Sequence, residues 1–171
     1  MIKIPEKEGR LSAAKAAHIE AVIAFVKRKT EGYRRDLFAN ISRVMLVSGT
    51  FEDMSARDDW SWLSDFILAD VKTLKQMIGR PELLQFDEFK RMYSDYFSAG
   101  SDKYVDASTK YNAYMFIENL GVTICPYCDE EYLDVVENGN GGKLRTLEID
   151  HFFQKGKYPA LAMCFYNLVP S

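Results

Sequence analysis

Apolar residues recur near helical spacing through most of the first 120 positions. In residues 11–29, Ala14, Ala17, Ile19, Val22, Ile23 and Val26 gather toward one face of a 3.6-residue repeat. That stretch closes on Lys27-Arg28-Lys29, cations suited to the negative end of a helix dipole. Residues 33–47 predict a second helix, ended by Ser48-Gly49. A third is predicted over residues 58–78, with Asp58 or Asp59 as cap and Gly79 and Pro81 as the stop. Pro81 opens a fourth segment whose aromatic face is Phe86, Phe89, Met92, Tyr93 and Tyr96, ending at Gly100. A fifth covers residues 108–120 and ends at Gly121.

The pattern changes after Gly121. Val122-Thr123-Ile124 leads into a cysteine pair, residues 132–136 are strand-like, and Asn138-Gly139-Asn140-Gly141-Gly142 is a turn. Residues 144–153 predict the next strand. The expected fold class is therefore α+β, mainly α. A helical bundle over residues 1–120 precedes a small β-containing module over residues 121–171.

Composition narrows the function classes. The chain has 171 residues, 47% of them hydrophobic, which is enough to bury a core. A net charge of −3 gives no global attraction to nucleic acid, so such binding needs a local basic patch. No run of apolar residues is long enough to span a bilayer, and the first residues have no apolar core of a signal peptide. Three cysteines with one close pair argue against a disulfide framework and suit a reducing cytoplasm.

Cys125-Pro126-Tyr127-Cys128 has the spacing of a zinc knuckle, in which a tight turn aims two thiolates at one tetrahedral ion. The pair supplies two of four ligands; Cys164 and the histidines are candidates for the rest. A redox pair normally opens a helix after a strand, and the surroundings here read as hairpin. Buried cysteines without a metal are the plainer alternative.

Downstream, Glu148-Ile149-Asp150-His151 alternates polar and apolar, so Asp150 and His151 point to opposite faces of a regular strand. A bulge or strand end at that point lets both converge on one site. Asp150 offers a carboxylate oxygen to a hard divalent cation. A neutral His151 is suited to deprotonate water near pH 7. Lys155 and Lys157 flank Gly156 and are candidate phosphate contacts. Each piece has a bland reading: a surface Asp-His pair, a solvated Lys-Gly-Lys turn, and Tyr158, Leu161, Met163, Phe165 and Tyr166 as core.

Taken in order, Cys125-Pro126-Tyr127-Cys128, the stretch from Leu147 to Phe153, Lys155, Lys157-Tyr158-Pro159 and the run from Phe165 to Ser171 resemble the zinc-containing ββα-metal HNH endonucleases. Within that group they look most like bacterial phage-defence proteins paired with an ABC- or AAA-type ATPase, Septu-like systems among them. The resemblance covers residues 122–171. It implies that His151 is the general base, Asp150 a ligand of catalytic Mg²⁺ or Mn²⁺, and Asn167 the central residue that braces the loop between the strands. It implies that Cys125 and Cys128 form the first half of a four-cysteine Zn²⁺ site. In the family a second cysteine pair and a helix bearing the last metal-site residue follow the Asn-Leu strand; this sequence stops at Ser171, and Gln154 and Gly156 stand where Pro and Ser are usual. The expectation is that these residues belong to a longer protein and are inactive or poorly active alone.

The resemblance thus implies a DNA endonuclease, RNA remaining open as a substrate, that acts as the effector of a defence complex. Nothing in residues 1–120 reads as catalytic, and docking of the ATPase is the role expected of them. Trp60 and Trp62 are expected to pack, and Arg34-Arg35 and Lys27-Arg28-Lys29 to be solvated helix positions rather than phosphate contacts. The alternatives are a non-catalytic zinc-knuckle module binding nucleic acid or protein, and an adaptor whose nuclease module has decayed.

Overall fold

A computed structural model describes residues 9–99, 102–125 and 148–171, and the backbone of Val135–Glu137 and Lys143–Arg145 between them. The protein is mainly helical. Helix α1 (Arg10–Lys27) buries Ala14, His18, Ala21, Val22, Phe25 and Val26, one stripe at helical spacing. Helix α2 (Glu31–Met45) starts at Thr30, whose hydroxyl accepts from the Tyr33 amide. It ends at Leu46 in the left-handed region (φ 54°), ahead of the expected stop at Gly49.

The long helix expected over residues 58–78 is instead two short ones, with a third in front. Thr50 caps α3 (Phe51–Ala56) by accepting from the Asp53 amide. Helix α4 (Ser61–Ile67) follows Asp59, whose carboxylate accepts from the Ser61 amide. Asp70 then caps α5 (Val71–Met77), accepting from the Thr73 amide at 2.8 Å. An aspartate that satisfies a free helix N–H competes with continuation of the preceding helix, and this breaks the run. Pro81–Leu84 forms a 3₁₀ turn, and α6 (Glu88–Met92) runs into a π-helical turn at Tyr93–Phe97.

Helix α7 (Ala113–Leu120) is shorter than expected because Asp106 organises the residues before it. Its carboxylate accepts from the Ser108 and Thr109 hydroxyls and from Arg28. Asn112 caps the helix, and Gly121 ends it in the left-handed region (φ 61°). A side chain at Gly121 would run into the Arg10 guanidinium.

The strand expected over residues 144–153 is two strands with different partners. Strand β1 (Val135–Glu137) pairs antiparallel with β2 (Lys143–Arg145). Strand β3 (Ile149–His151) pairs antiparallel with β4 (Leu168–Pro170), His151 opposite Leu168 and Asp150 opposite Val169. Reciprocal backbone bonds between Glu148 and Ser171 extend this second ladder. The turn expected at residues 138–142 lies outside the described residues. Among the described residues no helix is long and apolar enough to cross a membrane.

The hydrophobic core continues past residue 120. Ala160 to Cys164, between β3 and β4, are fully buried. Cys164 donates to the Phe66 carbonyl (3.5 Å), and the Phe165 ring meets Phe116 edge-on at 5.5 Å. His18 joins α1 to this segment. Its Nε2 donates to the Met163 carbonyl (2.8 Å), and Nδ1 accepts from the Tyr111 hydroxyl (2.9 Å). A carbonyl can only accept, so the proton sits on Nε2 and both ring nitrogens are satisfied in the neutral form.

Burial holds the His18 pKa down to about 4 from 6.5, against the smaller upward pull of the Met163 carbonyl. The unfolded chain binds a proton near pH 6.5 and the folded chain only near pH 4, so His18 contributes stability that is present above 6.5 and lost as pH falls. About 3 kcal/mol should disappear across that window. Urea titrations at pH 7 and 4.5 measure it: His18→Gln should flatten the dependence, and an equally steep loss in the variant would exclude His18 as its source.

Candidate active site

Strand β3 ends at the rim of an open cleft of about 710 Å³. Along the strand Ile149 and His151 are buried and Asp150 is exposed, the alternation expected of a regular strand. The strand stops at His151, and both Asp150 and His151 line the cleft. Glu148, Gln154, Lys155 and Ser171 share its wall with Tyr93 and Ser98 from the helical half.

The His151 ring is held from two sides. Nε2 donates to the Ala162 carbonyl at 3.1 Å, which fixes the proton on that nitrogen and leaves the Nδ1 lone pair available. The Tyr93 ring lies edge-to-face against the imidazole, centroids 4.5 Å apart. Burial, the largest influence, lowers the His151 pKa below 6.5; the Ala162 carbonyl opposes this, Lys155 adds to it and Asp150 opposes it. The imidazole is therefore neutral at pH 7, the form able to take a proton. One oxygen of Asp150 accepts from the His151 amide (2.7 Å), and the other makes no hydrogen bond among the described residues.

Asn167 is fully buried and ties the loop between the strands together. Its Oδ1 accepts from the Phe153 amide (2.6 Å), and its Nδ2 donates to the carbonyls of Phe153 (3.1 Å) and Leu161 (2.9 Å). Both amide donors and one Oδ1 lone pair go to backbone groups of the loop. That bond set fixes where Ala162 presents its carbonyl to His151.

The two lysines differ in placement. Lys155 stands on the cleft wall, its Nζ 4.2 Å from the Tyr93 ring centroid. Lys157 does not line the cleft; its Nζ lies 5.3 Å from the Tyr158 centroid. The basic helix ends are engaged within the chain. Lys27 pairs with Asp58, Arg28 with Asp106, and Arg35 with Glu31 and Glu52. Lys29 sits over the Phe25 ring. Trp62 is buried, and Trp60 donates to Asp58.

Cys125 is buried, and Cys128 lies outside the described residues. Cys164 and His18, both considered as zinc ligands from sequence, are core residues. The Cys164 thiol is enclosed and donates to the Phe66 carbonyl, and burial pushes its pKa well up. Among the described residues no group of three or more His, Cys, Asp and Glu is placed to hold a metal ion.

No family model, no curated protein and no solved structure matches this chain.

Tyr93, Ser98 and Glu148 were not singled out as site residues from sequence. Glu148 had the weak signal of sharing a strand face with Asp150. Tyr93 had only its place in an aromatic stripe, which reads as core.

Proposed function

We propose that this chain carries the base-bearing part of a metal-dependent phosphodiesterase site of the HNH endonuclease kind, acting on DNA. The observation that supports the reading most is the state of His151. Burial favours its neutral form, the Ala162 carbonyl sets the tautomer with the proton on Nε2, Nδ1 makes no hydrogen bond among the described residues, and the ring is set on a cleft edged by a carboxylate and a lysine.

In this reading a water in the cleft gives its proton to Nδ1 of His151 as its oxygen bonds to phosphorus; the P–O bond to the departing nucleotide breaks, and the leaving oxygen takes a proton from solvent. Lys155 attracts a phosphate oxygen and restrains the substrate backbone. Asn167 and Tyr93 hold the base still. Asp150 fits a hydrated Mg²⁺ or Mn²⁺, which typically binds through one or two carboxylates and keeps several waters. Such an ion, when bound, offsets charge on the scissile phosphate. Cys125 and Cys128 belong to the proposal as a structural zinc pair.

The test is nicking of supercoiled plasmid, with structured RNA as comparison substrate, by the intact protein. Nicking should need Mg²⁺ or Mn²⁺, stop on chelation, and fall by at least about 100-fold in Asp150→Asn. Cleavage that survives chelation, or none with any divalent ion, overturns the reading.

A further inference from the structure

Tyr93 makes three contacts at the candidate site from a position in the helical half. It opens the π-helical turn Tyr93–Phe97 directly after α6. A π turn inserts an extra residue into the helical repeat, re-aims the side chains around it, and is frequent at functional sites. The Tyr93 hydroxyl donates to the Ile149 carbonyl (2.8 Å), gripping β3 two residues before the base. Its ring meets the His151 imidazole at 4.5 Å, inclined by 68°. Its π system lies 4.2 Å from the Lys155 ammonium.

We infer that Tyr93 is a positioning residue through which the helical half sets strand β3, the His151 ring and Lys155 relative to one another. Each contact restrains a different freedom. The hydrogen bond fixes the strand along its length. One bond to Ala162 leaves the imidazole able to tilt, and the edge-to-face ring stops the tilt. Lys155 precedes Gly156 and makes no ion pair among the described residues, so the ring face is what gathers its ammonium at the cleft. Tyr93 is itself buried and packs against the Phe97 ring, so its position is set by the helical core.

The catalytic meaning of this inference rests on the proposed nuclease function; the positioning can be read without activity. The chain has two histidines, and their ring signals in a ¹H–¹³C spectrum serve as paired reporters. His151 reports the site. His18, held at Met163 and Tyr111, reports the core. Tyr93→Leu should shift the His151 signals, through loss of the ring current, and leave those of His18 in place. Tyr93→Phe, which keeps the ring, should hold both near wild type. In the intact enzyme kcat per folded molecule should fall about 100-fold with leucine, because small misplacement of a catalytic group has that cost. Phenylalanine, losing one hydrogen bond, should reduce it about fivefold or less.

Unmoved His151 signals in Tyr93→Leu, with His18 intact, overturn the inference. If leucine moves His18 as well, Tyr93→Met, which keeps more volume without a ring, replaces it and is judged by the same criterion. If the wild-type enzyme cleaves nothing with any ion, the nuclease reading fails, and the spectra still decide the positioning.

Discussion

Alanine at position 151 should lower cleavage by about 10²–10⁴-fold and leave the chain folded. In the proposed mechanism the side chain supplies the proton acceptor, and no other imidazole stands on the cleft wall. Truncation strands one hydrogen-bond partner, the Ala162 carbonyl. One unpaired carbonyl costs about 1–3 kcal/mol, less where water enters the space the imidazole leaves beside the cleft. Plasmid nicking measures the rate, and the His18 ring signals confirm the core. Full activity in this variant would remove His151 from the mechanism. The wild-type rate should hold down to pH 6.5 and fall below it, because burial disfavours the imidazolium.

Asn167→Leu should destabilise the protein by about 3–5 kcal/mol. The substitution leaves the Phe153 amide and the Phe153 and Leu161 carbonyls without their partner. Each unpaired buried group costs about 1–3 kcal/mol, and neighbouring losses add incompletely. Against a typical stability of about 5–15 kcal/mol this is a large fraction. The midpoint of urea unfolding, with the slope unchanged, measures it. A loss under about 1 kcal/mol would mean that Asn167 does not brace the loop.

The helix stripe from Ala14 to Val26 and the stop at Gly121 were legible because they depend on neighbours in sequence. The break at Asp70 was not. Its apolar surroundings fit one long helix, and only the bond to the Thr73 amide shows that the carboxylate opens a new one. Residues 108–112 were read as helix because their role in satisfying Asp106 involves Arg28, far away in sequence.

The same division holds at the site. Asp150, His151 and Asn167 lie in a single hairpin; the first two are neighbours in sequence, and Asn167 joins them through the resemblance to the HNH group. Tyr93 reaches Ile149 across 56 positions, and an aromatic at helical spacing carries no sign of that contact. Residue type misled in the other direction at His18 and Cys164. Both are common ligands, and what makes them core residues is enclosure by parts of the chain remote in sequence.

The bond from His18 to Met163 spans 145 residues, and this bears on how the protein is made. At a synthesis rate of about 5–20 residues per second, roughly 7–30 s separate the appearance of the two partners. Through that interval α4 and α7 can already cover α1, and only the part of its stripe around His18 waits for the segment at Met163. The helical core is therefore incompletely packed until that segment arrives, the kind of exposed apolar surface that favours misassociation. The loop that Asn167 ties together can be fixed only once the chain from Phe153 to Asn167 has been made.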